Sequence, residues 1–415
     1  MSRIAVIGAG IVGSASATWL VAQGHDVSVF DADPDGLPTS SGNASLIALP
    51  EIAPLASPGV LAAVPGWLLD PLGPLALRWP DLPALVPWLL AFLASATPSR
   101  GQHVRQALAG LMRTTLADHE AMAAVAGITG HLRQSGYLSV HANQRGVAAA
   151  ADEARRVNSV LGLDFEVLDA AAARRHVPPL EGEFAGAVYQ PGYWMATNPL
   201  TVLRQYQTFL RQRARLLAGR VRAIEPQASG VAVSLESGET QSFDQVVVAA
   251  GVWSRDLVRR LGLKVLLETE RGYNTTFSDL GWNLPMPVGF SDHGFVATPL
   301  VDGLRVGGAV ELAKPDTPPN YKRAAGMRAK MRAYVPSLPE GGAEWMGRRP
   351  STPDSLPVIS RHPGDRRVLF AFGHGHLGLT LSATTGRLIA EMAAGGEERP
   401  EFSISRFQHR VRPAA

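Results

Sequence analysis

The chain has 415 residues, of which 46% are hydrophobic and 18% charged, and its formal net charge is only +3. This length predicts about two domains, each able to bury a core. The near balance of charge argues against nucleic-acid binding. The absence of cysteine excludes disulfides, thiolate metal sites, cysteine nucleophiles and a flavin tethered through sulfur. No apolar run reaches the roughly 18 residues that mark a transmembrane helix, and we expect a cytoplasmic protein.

The N-terminal stretch predicts a strand–turn–helix–strand unit. Residues 4–7 and 25–30 are apolar runs typical of buried parallel strands, and residues 14–23 predict a helix. The turn contains Gly8, which allows the sharp bend, Gly10, which lets the backbone approach a pyrophosphate, and Gly13, which lets the helix pack closely. Asp31 follows the second strand, where it can accept hydrogen bonds from a ribose and repels the 2′-phosphate of NADP. The unit predicts a bound adenine dinucleotide but does not choose between FAD and NAD.

Two stretches that follow leave alternatives open. The small-residue loop at 39–45 lets the backbone approach a flat cofactor, or it is a plain surface turn. Residues 82–96 are nearly all apolar but too few to span a membrane. They predict a buried or interfacial helix, with docking of Trp88, Leu89, Phe92 and Leu93 on a membrane surface as the alternative.

The middle of the chain alternates helices and strands and then becomes rich in strands. Helices are predicted at 108–125, 147–161, 198–210 and 321–334, and strands at 136–141, 165–168 and 187–194. Short strands between 213 and 248 form a meander that ends in the sequence VVVAAG, and further strands at 268–273, 294–299 and 304–310 indicate a second sheet. Near the C-terminus, a strand at 368–372, a glycine loop at 373–380 and a helix at 382–394 repeat the N-terminal geometry.

Several motifs, taken in order, resemble one family. They are GAGIVG, TSSGNAS, VVVAAGVWS, ERGY, TPLVDGLRVGGAVE, GRRPSTPDSLPVI and FGHGHLGLTLSATTGRLIAE. They are similar to the FAD-dependent D-amino-acid oxidase and dehydrogenase family, nearest to bacterial D-amino-acid dehydrogenases, with glycine oxidase and sarcosine oxidase more distant. The resemblance implies an α/β fold in which a Rossmann-like FAD-binding domain (1–90, 196–262 and 345–400) is interrupted by a mixed-sheet substrate-binding domain with helices (91–195 and 263–344).

The resemblance also implies a set of residues around non-covalent FAD. Gly8, Gly10 and Gly13 would hold the pyrophosphate, Asp31 the ribose, and Val221 the adenine through its backbone. The C-terminal loop would lie against the pyrimidine edge of the ring. The full implied set is Gly8, Gly10, Ile11, Val12, Gly13, Asp31, Ala32, Ser41, Asn43, Ala44, Val221, Ala250, Gly251, Trp253, Gly373, His374, Gly375, His376, Leu377, Gly378, Leu379 and Thr380.

The implied substrate site centres on Arg349, which matches the family's carboxylate-binding arginine and can grip a carboxylate with two parallel hydrogen bonds. Arg348 beside it stands where an apolar residue is commoner, so the choice between the two arginines stays open. The remaining substrate-site candidates are Arg271, Tyr273, His374 and His376. Tyr273 either closes the pocket or is a core tyrosine. The two histidines are poor metal ligands by spacing, and no metal is expected; they contact flavin or substrate, or lie in a solvated loop.

The implied reaction is oxidative deamination of an amino acid. Hydride transfer from Cα to flavin N5 gives an imino acid, which water hydrolyses to a 2-oxo acid and ammonia. The family favours D-amino acids, but a cyclic or secondary amine such as D-proline, D-hydroxyproline or sarcosine, or a non-catalytic dinucleotide-binding protein, stays open. The electron acceptor is quinone or oxygen, a peripheral contact with the inner membrane is an open alternative, and no nucleic-acid partner is expected.

Overall fold

The N-terminal unit lies at the centre of a mainly parallel sheet. A computed structural model of the protein describes residues 1–70 and 73–408. Strand β1 (Arg3–Ile7) pairs in parallel with β2 (Asp26–Asp31) on one side and with β14 (Gln245–Val248) on the other. Helix α1 (Ile11–Ala22) begins at Ile11 rather than at residue 14, because the extended backbone of Gly10 ends the turn directly before it.

The first sheet has the order β10–β2–β1–β14–β21–β20, with only β20 antiparallel to its neighbour. Its outer strands come from the middle and the end of the chain, namely β10 (Arg215–Ala218), β20 (Val358–His362) and β21 (Asp365–Phe372). The predicted meander is confirmed as an antiparallel sheet of β11 (Val221–Gln227), β12 (Gly230–Leu235) and β13 (Thr240–Phe243). This arrangement is a Rossmann-like domain with an inserted meander.

A second, mixed sheet, called the roof sheet below, lines one cavity together with the first sheet. It has the order β19–β15–β18–β17–β16–β6–β8–β7, with β4 also on β18. Its strands are β4 (Leu75–Leu77), β6 (Tyr137–His141), β7 (Glu166–Asp169), β8 (Gly186–Gln190), β15 (Glu268–Phe277), β16 (Val288–Phe290), β17 (Phe295–Leu300), β18 (Gly303–Leu312) and β19 (Ala343–Ser351). The fold class predicted from the sequence, an FAD-type α/β domain with a mixed-sheet insertion, is confirmed. Strand β4 and most of β19, which lie within the predicted FAD-binding segments, pair within the roof sheet, and the domain division itself stays a prediction.

A small sheet and the helices complete the architecture. The small sheet has the order β3–β9–β5 and joins β3 (Leu46–Ile47), β9 (Trp194–Ala196) and β5 (Leu132–Gln134). The other helices are α2 (Pro58–Leu69), α3 (Leu82–Ser95), α4 (Pro98–Ala126), α5 (Gln144–Leu161), α6 (Ala170–His176), α7 (Pro199–Arg213), α8 (Ser254–Arg260), α9 (Lys322–Arg332) and α10 (Ser382–Ala393). Among the described residues no single helix is long and apolar enough to cross a membrane, although α3 with its preceding turn and α4 pass that test together as a pair bent by 93°.

Close packing at the glycine turn brings α1 against the parallel sheet. Gly8 has a φ of +108°, in the region that favours glycine, and its N–H donates to the Phe30 carbonyl (2.7 Å). A Cβ at Gly13 would overlap the backbone carbonyl of Gly8. Position 13 must therefore be glycine for the helix and the turn to be in contact. This contact places the start of α1 directly beyond the carboxyl end of β1.

We expect Gly13→Ala to destabilise the protein by about 1–3 kcal/mol, because the added methyl group meets backbone that cannot rotate away, and to weaken cofactor retention at the displaced turn. Gly101→Ala is the matched control. Its Cβ would lie 3.6 Å from Pro54 Cγ, and alanine in a helix interior gains about 0.5–1 kcal/mol. Thermal unfolding and the flavin content of the purified variants measure both effects. A Gly13→Ala protein with unchanged melting temperature and flavin content would contradict the packing argument.

Candidate active site

A cavity of about 760 Å³ begins at the carboxyl ends of β1 and β2 and continues under the roof sheet. This is the edge at which open α/β sheets bind ligands. Most of the implied cofactor residues line it: Gly8, Gly10, Ile11, Val12, Asp31, Ala32, Asn43, Ala44, Val221, Ala250, Gly251, Trp253, His374, Gly375, His376, Leu377, Gly378, Leu379 and Thr380. Gly13, Ser41 and Gly373 do not line the cavity, and of these Gly13 packs the helix instead.

Asp31 is tied into the glycine turn at the start of the cavity. Its Oδ2 accepts the Ala9 N–H (2.6 Å) and its Oδ1 accepts the Asp33 N–H (2.9 Å). The N–H groups of the first turn of α1 have no intrahelical acceptors, so they form a positive pole toward the cavity. This end of the cavity has the arrangement that binds a dinucleotide pyrophosphate and ribose.

The loop at 39–45 is held from above by side chains of the roof sheet. The Arg305 guanidinium donates to the carbonyls of Ser41 (3.1 Å) and Asn43 (2.6 Å), and Asn274 Nδ2 donates to the Gly42 carbonyl (2.9 Å). Burial lowers the pKa of Arg305 to about 10, so it stays charged at neutral pH. Sequence reasoning missed Arg305 and Asn274, because alternate polar residues in a strand do not reveal which loop they will meet.

Two buried amide oxygens at this loop have no hydrogen-bond partner among the described residues. They are Asn43 Oδ1 and Asn274 Oδ1, and both residues line the cavity. Buried polar atoms are normally paired, so unpaired ones beside a cavity indicate a ligand with polar edges. The loop, the glycine turn and the cavity together fit a flavin dinucleotide.

The C-terminal loop is fixed by side-chain hydrogen bonds. Thr380 Oγ1 donates to the Leu46 carbonyl (3.2 Å) and accepts the Ala48 N–H (3.1 Å), which joins this loop to β3.

The two histidines of this loop are neutral. His374 is buried and its Nε2 lies 2.9 Å from Thr385 Oγ1. Burial lowers the pKa of His374 to about 3. Burial also lowers the pKa of His376; the charge of Glu51 opposes this shift and that of Arg349 adds to it. Both imidazoles are therefore neutral at neutral pH.

The neighbouring arginines Arg348 and Arg349 point to opposite faces of β19. In the register with β15, Arg349 lies opposite Glu270 and Arg348 lies opposite Arg271, and successive side chains in a strand alternate faces. The Arg349 guanidinium occupies the space beside Gly272 that a Cβ would fill. Arg348 Nε donates to the Pro315 carbonyl (2.7 Å), and its guanidinium lies over the Trp253 ring at 6.0 Å. Both residues line the cavity, but only Arg349 shares a face with Glu270 and Gly272.

Arg271 and Tyr273 face away from that side of the strand. Arg271 is fully buried, pairs with Glu311 (Nη1 to Oε2, 3.2 Å) and donates to the Thr317 carbonyl (2.6 Å). The sequence-based choice of Arg271 as a substrate residue is not supported, because strand alternation directs its side chain into this ion pair and away from the cavity. Tyr273 lines the cavity, but its hydroxyl donates to Glu311 and accepts the Asn320 N–H (3.0 Å).

An acidic residue that sequence reasoning missed also lines the cavity. Glu51 follows β3, and its Oε1 accepts a hydrogen bond from the Tyr193 hydroxyl (2.8 Å). The Tyr193 ring stacks on Tyr137 with centroids 4.6 Å apart, and Tyr137 lines the cavity as well. No local motif marks Glu51, since the three residues come from separate parts of the chain.

The fold and the cavity define a dinucleotide-binding flavoprotein, and comparison with known proteins agrees. A family model described as FAD dependent oxidoreductase matches residues 3–392, so the chain belongs to this family. The D-amino-acid oxidase of Bradyrhizobium diazoefficiens is 34% identical over 424 residues, which cover 98% of this chain and 97% of that protein. The D-amino acid dehydrogenase of Rhizobium johnstonii is 30% identical over 434 residues, with coverage of 98% and 100%.

Among solved structures, glycine oxidase from Geobacillus kaustophilus shares the fold, with a TM-score of 0.77 over 98% of this chain and 99% of that one at 22% identity. The family resemblance inferred from the motifs is confirmed, and so is FAD as the cofactor rather than NAD. The chain is therefore an FAD-dependent oxidoreductase.

We expect the FAD to be held without a covalent bond. The chain has no cysteine, and the Nε2 atom of His374 is engaged with Thr385. Acid precipitation of the purified yellow protein should leave the colour in the supernatant, as measured by its flavin absorbance. Colour that stays with the pellet would show a covalent link, and peptide mapping would then identify the attached histidine or other residue.

Proposed function

We propose that this protein oxidises D-amino acids to imino acids, which water then hydrolyses to 2-oxo acids and ammonia. The observation that carries the proposal is the Arg349 guanidinium, which lines the cavity below the roof sheet. Most of its N–H donors have no acceptor among the described residues. The names of the relatives, D-amino-acid oxidase and D-amino acid dehydrogenase at 30–34% identity, support the D-configured substrate. The proposal places the amino acid between Arg349 and the C-terminal loop.

Arg349 is suited to bind a carboxylate. A guanidinium has five N–H donors. Within the described part of the chain Arg349 makes one hydrogen bond, a long one from Nη1 to the Ala309 carbonyl (3.4 Å). Burial lowers its pKa, and the charge of Glu270 opposes that shift, so the guanidinium remains charged. Two parallel charge-assisted hydrogen bonds to a planar carboxylate would use two of the four remaining donors and fix the orientation of the substrate.

The other side chains at this end of the cavity orient the substrate and exclude water. When bound, FAD supplies the hydride acceptor for the substrate Cα–H. The neutral imidazole of His376 can donate or accept one hydrogen bond without adding a charge. The loop at 39–45, held by Arg305 and Asn274, and the roof strand β15 enclose the site, so that the reacting groups meet in a fixed geometry.

The substrate class is tested by mixing the purified protein with single amino acids under anaerobic conditions and following loss of the flavin absorbance. We expect D-amino acids with simple side chains to bleach the flavin and their L-enantiomers to leave it oxidised. Bleaching by D-proline or sarcosine alone would assign the protein to secondary amines. A flavin that no amino acid bleaches would contradict the proposed function.

We expect Arg349→Ala to keep its FAD and to lose roughly 30- to several-thousand-fold in kcat/KM, because removing one partner of a buried charge pair costs about 2–5 kcal/mol. Arg348→Ala is the matched control. Its guanidinium is bound to the Pro315 carbonyl on the other face of the strand, so the loss should be much smaller. Steady-state kinetics at equal flavin content measures both variants. An inactive Arg348→Ala beside an active Arg349→Ala would transfer the carboxylate site to Arg348.

We infer that the outward face of α3 makes a peripheral membrane contact. Leu90 and Leu93 on this helix are 62% and 51% exposed. Trp88, named in the membrane-docking alternative, instead agrees with the predicted buried helix, because it is 3% exposed and donates through Nε1 to the Ser351 carbonyl (3.0 Å). Phe92 stacks on Trp88 with centroids 5.2 Å apart. An apolar face gains affinity for a bilayer from the area that it buries.

We expect the wild-type protein to co-sediment with vesicles of anionic phospholipid and a Leu90→Asp, Leu93→Asp variant to remain in solution, because two carboxylates on the docking face oppose burial in the lipid interface. Val301→Asp is the matched control, since Val301 is 80% exposed at a distant turn. Flavin content shows that each variant is folded. A wild type that stays in the supernatant would disprove membrane docking, and binding unaffected by the double substitution would place it elsewhere.

A further inference from the structure

Glu51 occupies a fixed position under the roof sheet. The segment before it is bound to the C-terminal loop, since Thr380 Oγ1 contacts both the Leu46 carbonyl and the Ala48 N–H. The Glu51 N–H then donates to the Ala48 carbonyl (3.0 Å), which closes a turn at the cavity wall. The position of the carboxylate therefore follows from the same contacts that hold the C-terminal loop in place.

The side chain of Glu51 is oriented by one partner and leaves one oxygen available. Tyr193, which is buried, donates its hydroxyl to Oε1 at 2.8 Å. The stacked Tyr137 ring supports Tyr193 from the other side. Glu51 lines the cavity, and its Oε2 accepts no hydrogen bond from the part of the chain that the structure describes. A carboxylate oriented through one oxygen can bind a cation with the other.

Glu51 is also distinct among the acids that line the cavity. The other described acidic residues of the lining lie at the end of the cavity that contains the glycine turn: Asp31, Asp33, Glu236 and Asp256. Glu51, Arg349 and His376 all line the same cavity, and the charges of Glu51 and Arg349 act in opposite directions on the pKa of the His376 imidazole. A cation and an anion on the wall of one cavity form a pair of charges complementary to an amino acid, which carries a carboxylate and an ammonium.

We propose that Glu51 binds the positively charged amine of the substrate through Oε2, opposite the carboxylate held by Arg349. This inference rests on the proposed function and extends it to a second anchor. The amine belongs either to the α-ammonium of every amino-acid substrate or to a cationic side chain such as that of lysine or arginine. In both cases Glu51 selects against substrates with acidic side chains, because a second carboxylate near Glu51 is repelled.

The test compares Glu51→Gln with wild type in anaerobic reduction of the flavin by D-alanine, D-lysine and D-glutamate. Glutamine keeps the shape of the side chain and removes its charge. A hydrogen bond to a charged group supports an expected rise of roughly ten- to a hundredfold in the substrate dissociation constant, with FAD retained. An equal rise for D-alanine and D-lysine identifies the α-ammonium as the partner. A rise confined to D-lysine, with tighter binding of D-glutamate, identifies the side-chain cation.

Two further variants keep the test decisive. Glu166→Gln removes a carboxylate from the exposed edge strand β7 of the roof sheet and should bind all three substrates as wild type does. Tyr193→Phe keeps the charge of Glu51 but removes the group that orients it, so a smaller rise in the same dissociation constant is expected. If Glu51→Gln loses its flavin, the folded Tyr193→Phe variant decides the question, and unchanged substrate binding in that variant overturns the proposal.

The remaining outcomes separate this inference from the proposed function. A wild type that D-amino acids bleach, together with a Glu51→Gln variant of unchanged dissociation constants for all three substrates, overturns the role of Glu51 alone. A wild type that none of these amino acids bleaches overturns both.

Discussion

The close contact between α1 and the turn after β1 is the constraint on which the rest of the site depends. With a side chain at Gly13, the helix could not approach the Gly8 carbonyl, and its N-terminus would move away from the end of the strand. The same packing continues through α10, where Trp19 Nε1 donates to the Ala383 carbonyl (3.0 Å). The N-terminal turn and the C-terminal loop therefore approach the cavity from one rigid body of helices packed on a parallel sheet.

The roof sheet sorts its charged residues by strand alternation. On one face, Arg349 lies opposite Glu270 and lines the cavity, and on the other face Arg271, Glu311 and Tyr273 form a buried network. Burying charges costs free energy unless they are paired, and both groups are arranged so that each cation has a nearby anion. The difference lies in their position: Arg349 lines the cavity and Arg271 does not, although Arg271 Nε and Nη1 also lack a hydrogen-bond partner among the described residues. A guanidinium with free donors on the wall of a cavity is the feature expected of a substrate anchor.

The loop at 39–45 and the turn to Glu51 illustrate how distant segments build one wall. Arg305 and Asn274 hold the loop from the roof sheet, and Thr380 holds the following segment from the C-terminal loop. Each of these hydrogen bonds joins positions more than 200 residues apart in the chain. The wall is therefore assembled only when both sheets are in place, which couples cofactor binding to the folding of the whole chain.

The sequence alone determined the parallel-sheet core, the glycine turn with Asp31, the C-terminal strand–loop–helix and the family, because these depend on local periodicity and on glycines with defined backbone roles. Tertiary structure decided which polar residues share the cavity. The pairing of β15 with β19 decides that Arg349, and not Arg348, shares a face with Glu270, and it directs Arg271 into an ion pair. Packing of α3 buries Trp88 and leaves Leu90 and Leu93 exposed. Long-range packing also brings Glu51, Tyr193 and Tyr137 together from three separate segments. Strand register and long-range packing set the direction of each side chain, and neither is encoded in the local pattern.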